Sequence, residues 1–200
     1  MADDGSFDAD AIAGLGPGQI VLIVGPSGAG KDAILRQACR RLADPHFLFA
    51  RRVVTREPSM DEEHDCISAF EFAARLQQGR FALDWQAHGL NYGIPIEIDA
   101  AIRRGQCVVL NASRSIIAPA RRRYRQAAVV LIEAPLELRA DRLANRRRER
   151  TADITARLAR ATDFKAADAD LVIENSGALA AAVAVLVNWL VACQRSPPRP

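Results

Sequence analysis

Apolar positions along this chain fall into two periods that alternate. QIVLIV (19–24) is a continuous apolar run, the pattern of a strand buried on both faces. Three similar runs follow, CVVLNAS (107–113), AAVVLIEAP (127–135) and DLVIENS (170–176). Between them the spacing changes to three and four. Ile34, Leu35, Ala38 and Leu42 share one face of a helix after the first run, and helical spacing also fits 98–104, 115–124, 136–147, 153–165 and 177–193. Pro135 stands where one of these helices starts, a place that suits its fixed φ and missing N–H. Strands alternating with helices predict an α/β fold with a parallel central sheet covered on both faces, a three-layer arrangement.

The rhythm breaks between residues 51 and 95. RRVVTREPSMDEEHDCIS is polar and turn-rich. In the SAFEFAARLQQG that continues it, Ser68 and Glu71 have the spacing of a capping box. FALDWQAHGLNYGIP closes the segment, and the whole piece reads as an inserted substrate lobe. A second irregular piece, NRRRERTAD (145–153), joins two helices and carries four arginines. The expected organisation is one domain over 19–195, with a loose tail over 1–18 and a short one over 196–200. The GLGPG that ends the first tail precedes a strand, so it is a turn and not a dinucleotide fingerprint.

Charge changes this picture little and composition rather more. A net charge of +3 argues for neither a nucleic-acid nor a membrane partner. Of the 27 basic residues only Lys31 and Lys165 are lysine, which a base-composition bias explains, yet one of the two lies in a glycine-rich loop. Cys39, Cys66, Cys107 and Cys193 form no CxxC pair and read as buried thiols of a reducing compartment. The acidic start is unlike a signal peptide, and ALAAAVAVLVNWLVAC is too short to span a bilayer. The expectation is a cytoplasmic protein acting on small molecules, and a homodimer is compatible with it.

The chemistry centres on GPSGAGKD, between the first strand and the first helix. Backbone N–H groups of Gly25, Pro26, Ser27, Gly28, Ala29 and Gly30, proline excepted, would converge on an anion at a helix start, with Lys31 reaching the outer phosphates. Asp32 stands where such loops carry a hydroxyl that touches magnesium. A carboxylate is a good ligand for Mg²⁺. It is tolerable beside phosphates only if the metal lies between them, because like charges at ~4 Å repel strongly in a dry site. The alternative is that Asp32 favours the helix N-terminus, worth ~0.3–1 kcal/mol. The arginine-rich piece reads either as a solvated surface or as a lid whose Arg146 and Arg150 bring positive charge to a transferring phosphoryl group. No aromatic platform accompanies it, against a nucleic-acid site.

Together these pieces resemble the guanylate-kinase-like branch of the P-loop nucleoside monophosphate kinases, from about residue 19 to residue 193. The counterparts are GPSGAGK, VVTR (53–56), EEHDCIS (62–68), Glu71–Phe72, HGLNYG (88–93), the NRRRER lid and IENSG (173–177). Departures gather where guanine would bind. His64 replaces a tyrosine, Gln86 the guanine-reading glutamate, Ser59 a phosphate-binding arginine, and Asn111 and Ser113 an acidic pair. A carboxylate accepts from two guanine N–H groups, whereas Gln has one acceptor oxygen.

A closer resemblance is to the ribose 1,5-bisphosphate phosphokinases of bacterial phosphonate degradation, carried by GPSGAGKD, RRVVTR, WQAHGLNYGIP and VVLNASR. It implies a P-loop kinase with Mg²⁺ that uses ATP to convert ribose 1,5-bisphosphate into 5-phosphoribosyl 1-diphosphate and ADP. Asp32 is then a mark of that subgroup. The acceptor is a phosphate already largely ionised at neutral pH, so no general base is needed. Arg51, Arg52, Arg56 and Arg114 are candidate phosphate ligands. His64, Gln86, His88, Tyr92, Asn111 and Ser113 are candidate partners of sugar or phosphate, and Asn175 matches the family's adenine-binding turn. Trp85 reads as packing. A guanylate-like kinase of altered specificity and a nucleotide-binding module without turnover are the alternatives.

Overall fold

The computed structural model describes residues 14–56, 64–87, 89–145 and 166–195. Its central sheet is formed by β1 (Gln19–Val24), β2 (Phe47–Phe49), β7 (Cys107–Asn111), β8 (Ala127–Glu133) and β9 (Leu171–Glu174), in the order β2-β7-β1-β8-β9. Every neighbouring pair is parallel. Both faces are covered, as the apolar runs predict. Ile20, Leu22 and Val24 point into one core with Val108, Leu110, Val129 and Leu131; Val21 and Ile23 point into the other with Val109, Val130 and Ile132. This is the two-residue period of a strand divided between two cores. All five β1 residues from Ile20 to Val24 are fully buried, each stabilising the fold by roughly 1.5–3 kcal/mol.

Two helices cover the second core, α1 (Lys31–Arg41) through Ile34 and Ala38, and α6 (Leu179–Arg195) through Ala182, Val183, Leu186 and Leu190. The apolar C-terminal segment is thus a packed helix, and none of the described helices is long and apolar enough to cross a membrane. On the first core lie α3 (Ile98–Arg103) and α4 (Ile117–Arg123), the latter entered through a 3₁₀ turn over Arg114–Ile116. α5 (Leu136–Asn145) begins directly after Pro135.

The interruption at 51–95 is a second sheet. β3 (Arg52–Val54), β4 (His64–Cys66), β5 (Phe81–Ala87) and β6 (Leu90–Pro95) run in the order β4-β3-β6-β5, with α2 (Ala69–Gln77) against them. Ser68 caps α2 by accepting from the Glu71 N–H at 3.1 Å, but the Glu71 carboxylate turns to Arg75 at 2.6 Å. Only half of the expected capping box forms, because a full-charge partner one turn on competes for the same carboxylate. Phe72 of α2 stacks on Phe81 at 4.6 Å, and the Phe81 ring lies over Gly93. A Cβ at Gly93 would sit 2.5 Å from that ring, so the glycine of NYGIP is a packing requirement. The lobe is continuous with the first core through Leu83, Trp85 and Ile94.

Three expectations change. Residues 14–18 are not loose: Leu15 donates to Arg123 O and accepts from Arg125 N–H, both at 2.8 Å, and the Gly18 N–H donates to Ile102 O at 2.9 Å. This stretch is held beside a buried network in which Asp99, 3 % exposed, accepts from Tyr124 Oη at 2.7 Å and from Arg123. Second, β2 was hidden in PHFLFA because an edge strand of three residues is too short to show a period. Third, of the cysteines only Cys107 is buried, since Cys39 lies on the outer side of α1 and Cys66 and Cys193 are half-buried.

Burial pushes the Cys107 thiol from 9.0 up to about 12. The unfolded chain therefore releases this proton above about pH 9 while the folded chain retains it, so stability is full below pH 9 and falls as pH rises toward 12. Between pH 8 and pH 10 the Cys107→Ala protein should lose about 1 kcal/mol less stability than the parent. Urea unfolding at the two pH values measures this, and equal losses would contradict it.

Candidate active site

The C-terminal end of β1 delivers the chain into the Gly25–Gly30 loop and then α1. Gly25, Gly28 and Gly30 have φ of 148°, 81° and 95°, conformations that cost a side chain energy. They are also closely packed: a Cβ would lie 2.1 Å from Ile132 O at Gly25, 2.7 Å from Arg139 O at Gly28 and 2.4 Å from Asn175 Nδ2 at Gly30. No side chain caps α1, whose N-cap is Gly30 itself. A helix start whose backbone N–H groups no side chain caps is what an anion site needs.

The loop's carbonyls are all engaged. Lys31 Nζ donates to Gly25 O at 2.7 Å and Pro26 O at 3.1 Å. Arg139 Nε donates to Ser27 O at 3.0 Å, and Arg142 Nη1 lies 3.4 Å from both Gly28 O and Ala29 O. Asn175 Nδ2 donates to Ala29 O at 2.8 Å, while Asn175 O accepts from Arg142 Nη2 at 3.0 Å. Asn175 is 2 % exposed. Its side chain therefore supports the loop backbone, a more structural position than the adenine contact the resemblance implies. The sequence reading missed Arg139 and Arg142, although their spacing of three on a helix places them on one face. Burial lowers the Arg139 pKa. Burial also lowers that of Arg114, with Glu133 opposing and Arg139 reinforcing. Both guanidinia stay protonated at neutral pH, so a nearby anion would offset their desolvation. Arg114, expected on the acceptor side, feels the charges of Glu133 and Arg139 beside the loop.

Across the cleft the lobe supplies Arg52 at the start of β3. Its Nη2 lies 3.8 Å from Asp32 Oδ1, and its guanidinium carbon is 5.8 Å from the centre of the Tyr92 ring. Tyr92 stacks on Trp85 at 5.1 Å with an interplanar angle of 6°, and Trp85 is buried, as the packing reading has it. Asn111 Nδ2 donates to the same Asp32 oxygen at 2.5 Å. Asp32, Arg51, Arg52 and Asn111 line one cleft, and Arg56 lines another with Thr55, Ser68 and Glu71. Arg51 pairs with Asp65 at 3.0 Å in a largely exposed position, an arrangement of little energetic weight. His64 is buried on β4 at 7 % exposure. Gln86 is exposed and donates to Asn91 Oδ1 at 2.8 Å across the hairpin. Ser113 accepts from the Ser115 N–H and Oγ, capping the 3₁₀ turn. His88, Arg146 and Arg150 lie outside the described residues, with most of the expected lid.

The residues present fit a magnesium ion brought in with a nucleotide. Asp32 is a hard-oxygen donor in the first turn of α1, next to Lys31, and Asn111 places a neutral amide beside it. Mg²⁺ is usually held by one or two carboxylates with water and phosphate completing its shell. At Gly30, alanine would combine a φ of 95° with the 2.4 Å approach to Asn175. Gly30→Ala should weaken binding of a non-hydrolysable ATP analogue at least tenfold by calorimetry. Gly89→Ala, where nothing lies within 4 Å despite a φ of 72°, should bind it nearly as the parent does.

No family model matches the chain. Comparison with curated proteins gives close relatives. The ribose 1,5-bisphosphate phosphokinase PhnN of Methylobacterium radiotolerans is 48 % identical over 178 residues, 88 % of this chain and 99 % of that protein. The protein of the same name from Acidiphilium cryptum is 48 % identical over 181 residues, covering 90 % and 96 %. Among solved structures, guanylate kinase from Anaplasma phagocytophilum superposes with a TM-score of 0.66 at 16 % identity, over 92 % of this chain and 88 % of that one. That likeness establishes a P-loop nucleoside-monophosphate-kinase-like fold; sequence identity across nearly the whole length of both proteins places the chain in the ribose 1,5-bisphosphate phosphokinase (PhnN) family.

Proposed function

We propose that this protein transfers the γ-phosphoryl group of ATP to the 1-phosphate of ribose 1,5-bisphosphate, forming 5-phosphoribosyl 1-diphosphate and ADP, as a step of phosphonate breakdown in the cytoplasm. The observation that carries this reading is the composition of the acceptor side. A guanidinium, Arg52, stands against the Tyr92 ring and the Asp32 carboxylate, and Gln86 is turned to Asn91. That arrangement suits a small anion with hydroxyls better than a purine that needs a paired acceptor for its N–H edge.

In the reaction an oxygen of the acceptor phosphate bonds to the γ-phosphorus as the bond from that phosphorus to the β,γ-bridging oxygen breaks, and ADP leaves with the electron pair. The acceptor's second ionisation near pH 6 makes that oxygen a nucleophile at neutral pH without a base. Positioning and charge neutralisation therefore supply most of the catalysis. The loop N–H groups and Lys31 hold the donor's phosphates. Arg139, Arg142 and Asn175 keep the loop backbone in the shape that allows it. Arg52, with Arg56, His88 and Tyr92, receives the acceptor, and Arg146 and Arg150 bring positive charge to the transferring group. Magnesium at Asp32 would neutralise charge on the donor's terminal phosphates.

Phosphorus NMR of the purified protein with Mg-ATP distinguishes the acceptors. New diphosphate resonances should appear with ribose 1,5-bisphosphate and be absent with GMP at equal concentration. GDP formation with the sugar untouched would assign the protein to the guanylate-kinase reading that its fold also permits. Lys31→Met should lower kcat by about 10²–10³, the usual loss when one donor to a transition-state charge is removed. An unchanged rate would exclude Lys31 from the reaction.

A further inference from the structure

We propose that Asp32 is a positioning residue for the phosphate acceptor: it holds Arg52 and Asn111 in place across the boundary between the donor helix and the substrate lobe. The inference rests on the acceptor reading above for the identity of the substrate, and it goes beyond the magnesium role that the loop motif suggests for this residue.

Three elements meet at one carboxylate oxygen. Asp32 is on the first turn of α1, Asn111 ends β7 of the central sheet, and Arg52 begins β3 of the lobe sheet. Asp32 Oδ1 accepts from Asn111 at 2.5 Å and lies 3.8 Å from Arg52 Nη2. The two charged side chains are only 32 % and 19 % exposed, so solvent screens the pair less than a surface ion pair. Behind Arg52 the chain of contacts continues to Tyr92 and through its stacked ring to buried Trp85. The acceptor cation is thus fixed at one edge by a group on the donor helix and on one face by the lobe core.

The physical consequence concerns order more than charge. An unrestrained arginine has rotamer entropy to lose when it binds a phosphate. Held by a carboxylate and an aromatic face, Arg52 has lost part of that freedom beforehand, with several of its five N–H donors still to offer. A serine at position 32 has a shorter, uncharged side chain and could not reach both Asn111 and Arg52. The carboxylate also ties the position of the lobe to the phosphate loop, so the acceptor oxygen would arrive at a defined distance from the γ-phosphorus.

The two roles of Asp32 separate in the absence of metal. Calorimetric titration of ribose 1,5-bisphosphate into the full chain in EDTA, without nucleotide, reads acceptor binding alone. Asp32→Asn and Asp32→Ser should each weaken it about tenfold, and Arg52→Gln at least as much. The double variant Asp32→Asn/Arg52→Gln should bind no more weakly than Arg52→Gln alone, the non-additivity expected of residues acting as one unit. In steady-state assays the Asp32 variants should also raise the KM for the sugar, in addition to any change in the KM for ATP that comes through magnesium. Unchanged metal-free affinity in the Asp32 variants, with a shift only in ATP KM and in magnesium dependence, would overturn the proposal in favour of a purely metal-binding Asp32. Additive losses in the double variant would overturn it too. If Asp32→Asn fails to fold, Asp32→Glu, which keeps the charge and displaces it, must still weaken metal-free binding of the sugar. Failure of the parent protein to bind the sugar would refute the substrate reading itself, an outcome distinct from equal binding by parent and variants.

Discussion

A backbone that binds an anion through its N–H groups must dispose of its carbonyls, because oxygens turned toward phosphate would repel it. Here that constraint is met residue by residue. The carbonyls from Gly25 to Ala29 accept from Lys31, Arg139, Arg142 and Asn175. Those donors come from the loop's own helix, from α5 and from the turn after β9, so the loop's shape depends on two distant segments packing correctly. The close approaches at Gly25, Gly28 and Gly30 are the steric counterpart of the same closure. β8, α5 and the β9 turn are there as much to hold the loop as to complete the fold.

The second sheet answers a different requirement. A kinase must bring a second substrate to the end of the triphosphate and exclude water while the transfer proceeds. In the proposed function this task falls to lobe side chains on short strands, whose direction is set by pairing with one another and by the Phe72–Phe81 stack over Gly93. Its core is continuous with the central sheet through Trp85 and Ile94, while its polar link to the donor side runs through Arg52 and Asp32. The lobe is therefore joined to the rest of the protein by an apolar base and a charged rim. Such a construction permits closure about the base without loss of the core.

That rim also gives the unusual loop residue a meaning in tertiary terms. An aspartate after the loop lysine could be read from the motif alone as a metal ligand or as a helix-end charge. Its contacts with Asn111 and Arg52 add the positioning role proposed above. Half-buried cations beside the loop, Arg114 and Arg139, have pKa values lowered by desolvation, a cost that an anion bound at the loop would offset.

The α/β class, the parallel sheet and the phosphate loop were legible in the sequence because each depends on local pattern. Buried parallel strands are uninterrupted apolar runs, helices show their period, and an anion-binding turn needs glycines beside a lysine within a few residues. The edge strand Phe47–Phe49 is too short to carry a period, and the docking of Leu15 beside Tyr124 depends on backbone partners a hundred residues away. The roles of Arg139, Arg142 and Asn175 were hidden for the same reason: their partners are carbonyl oxygens, which look alike at every position of a sequence. Whether Arg52 faces Asp32, and whether Gln86 faces a substrate or Asn91, is set by strand register and side-chain direction. Only the packed chain decides those, because a hydrogen bond between residues far apart in sequence exists only once both backbones have been placed.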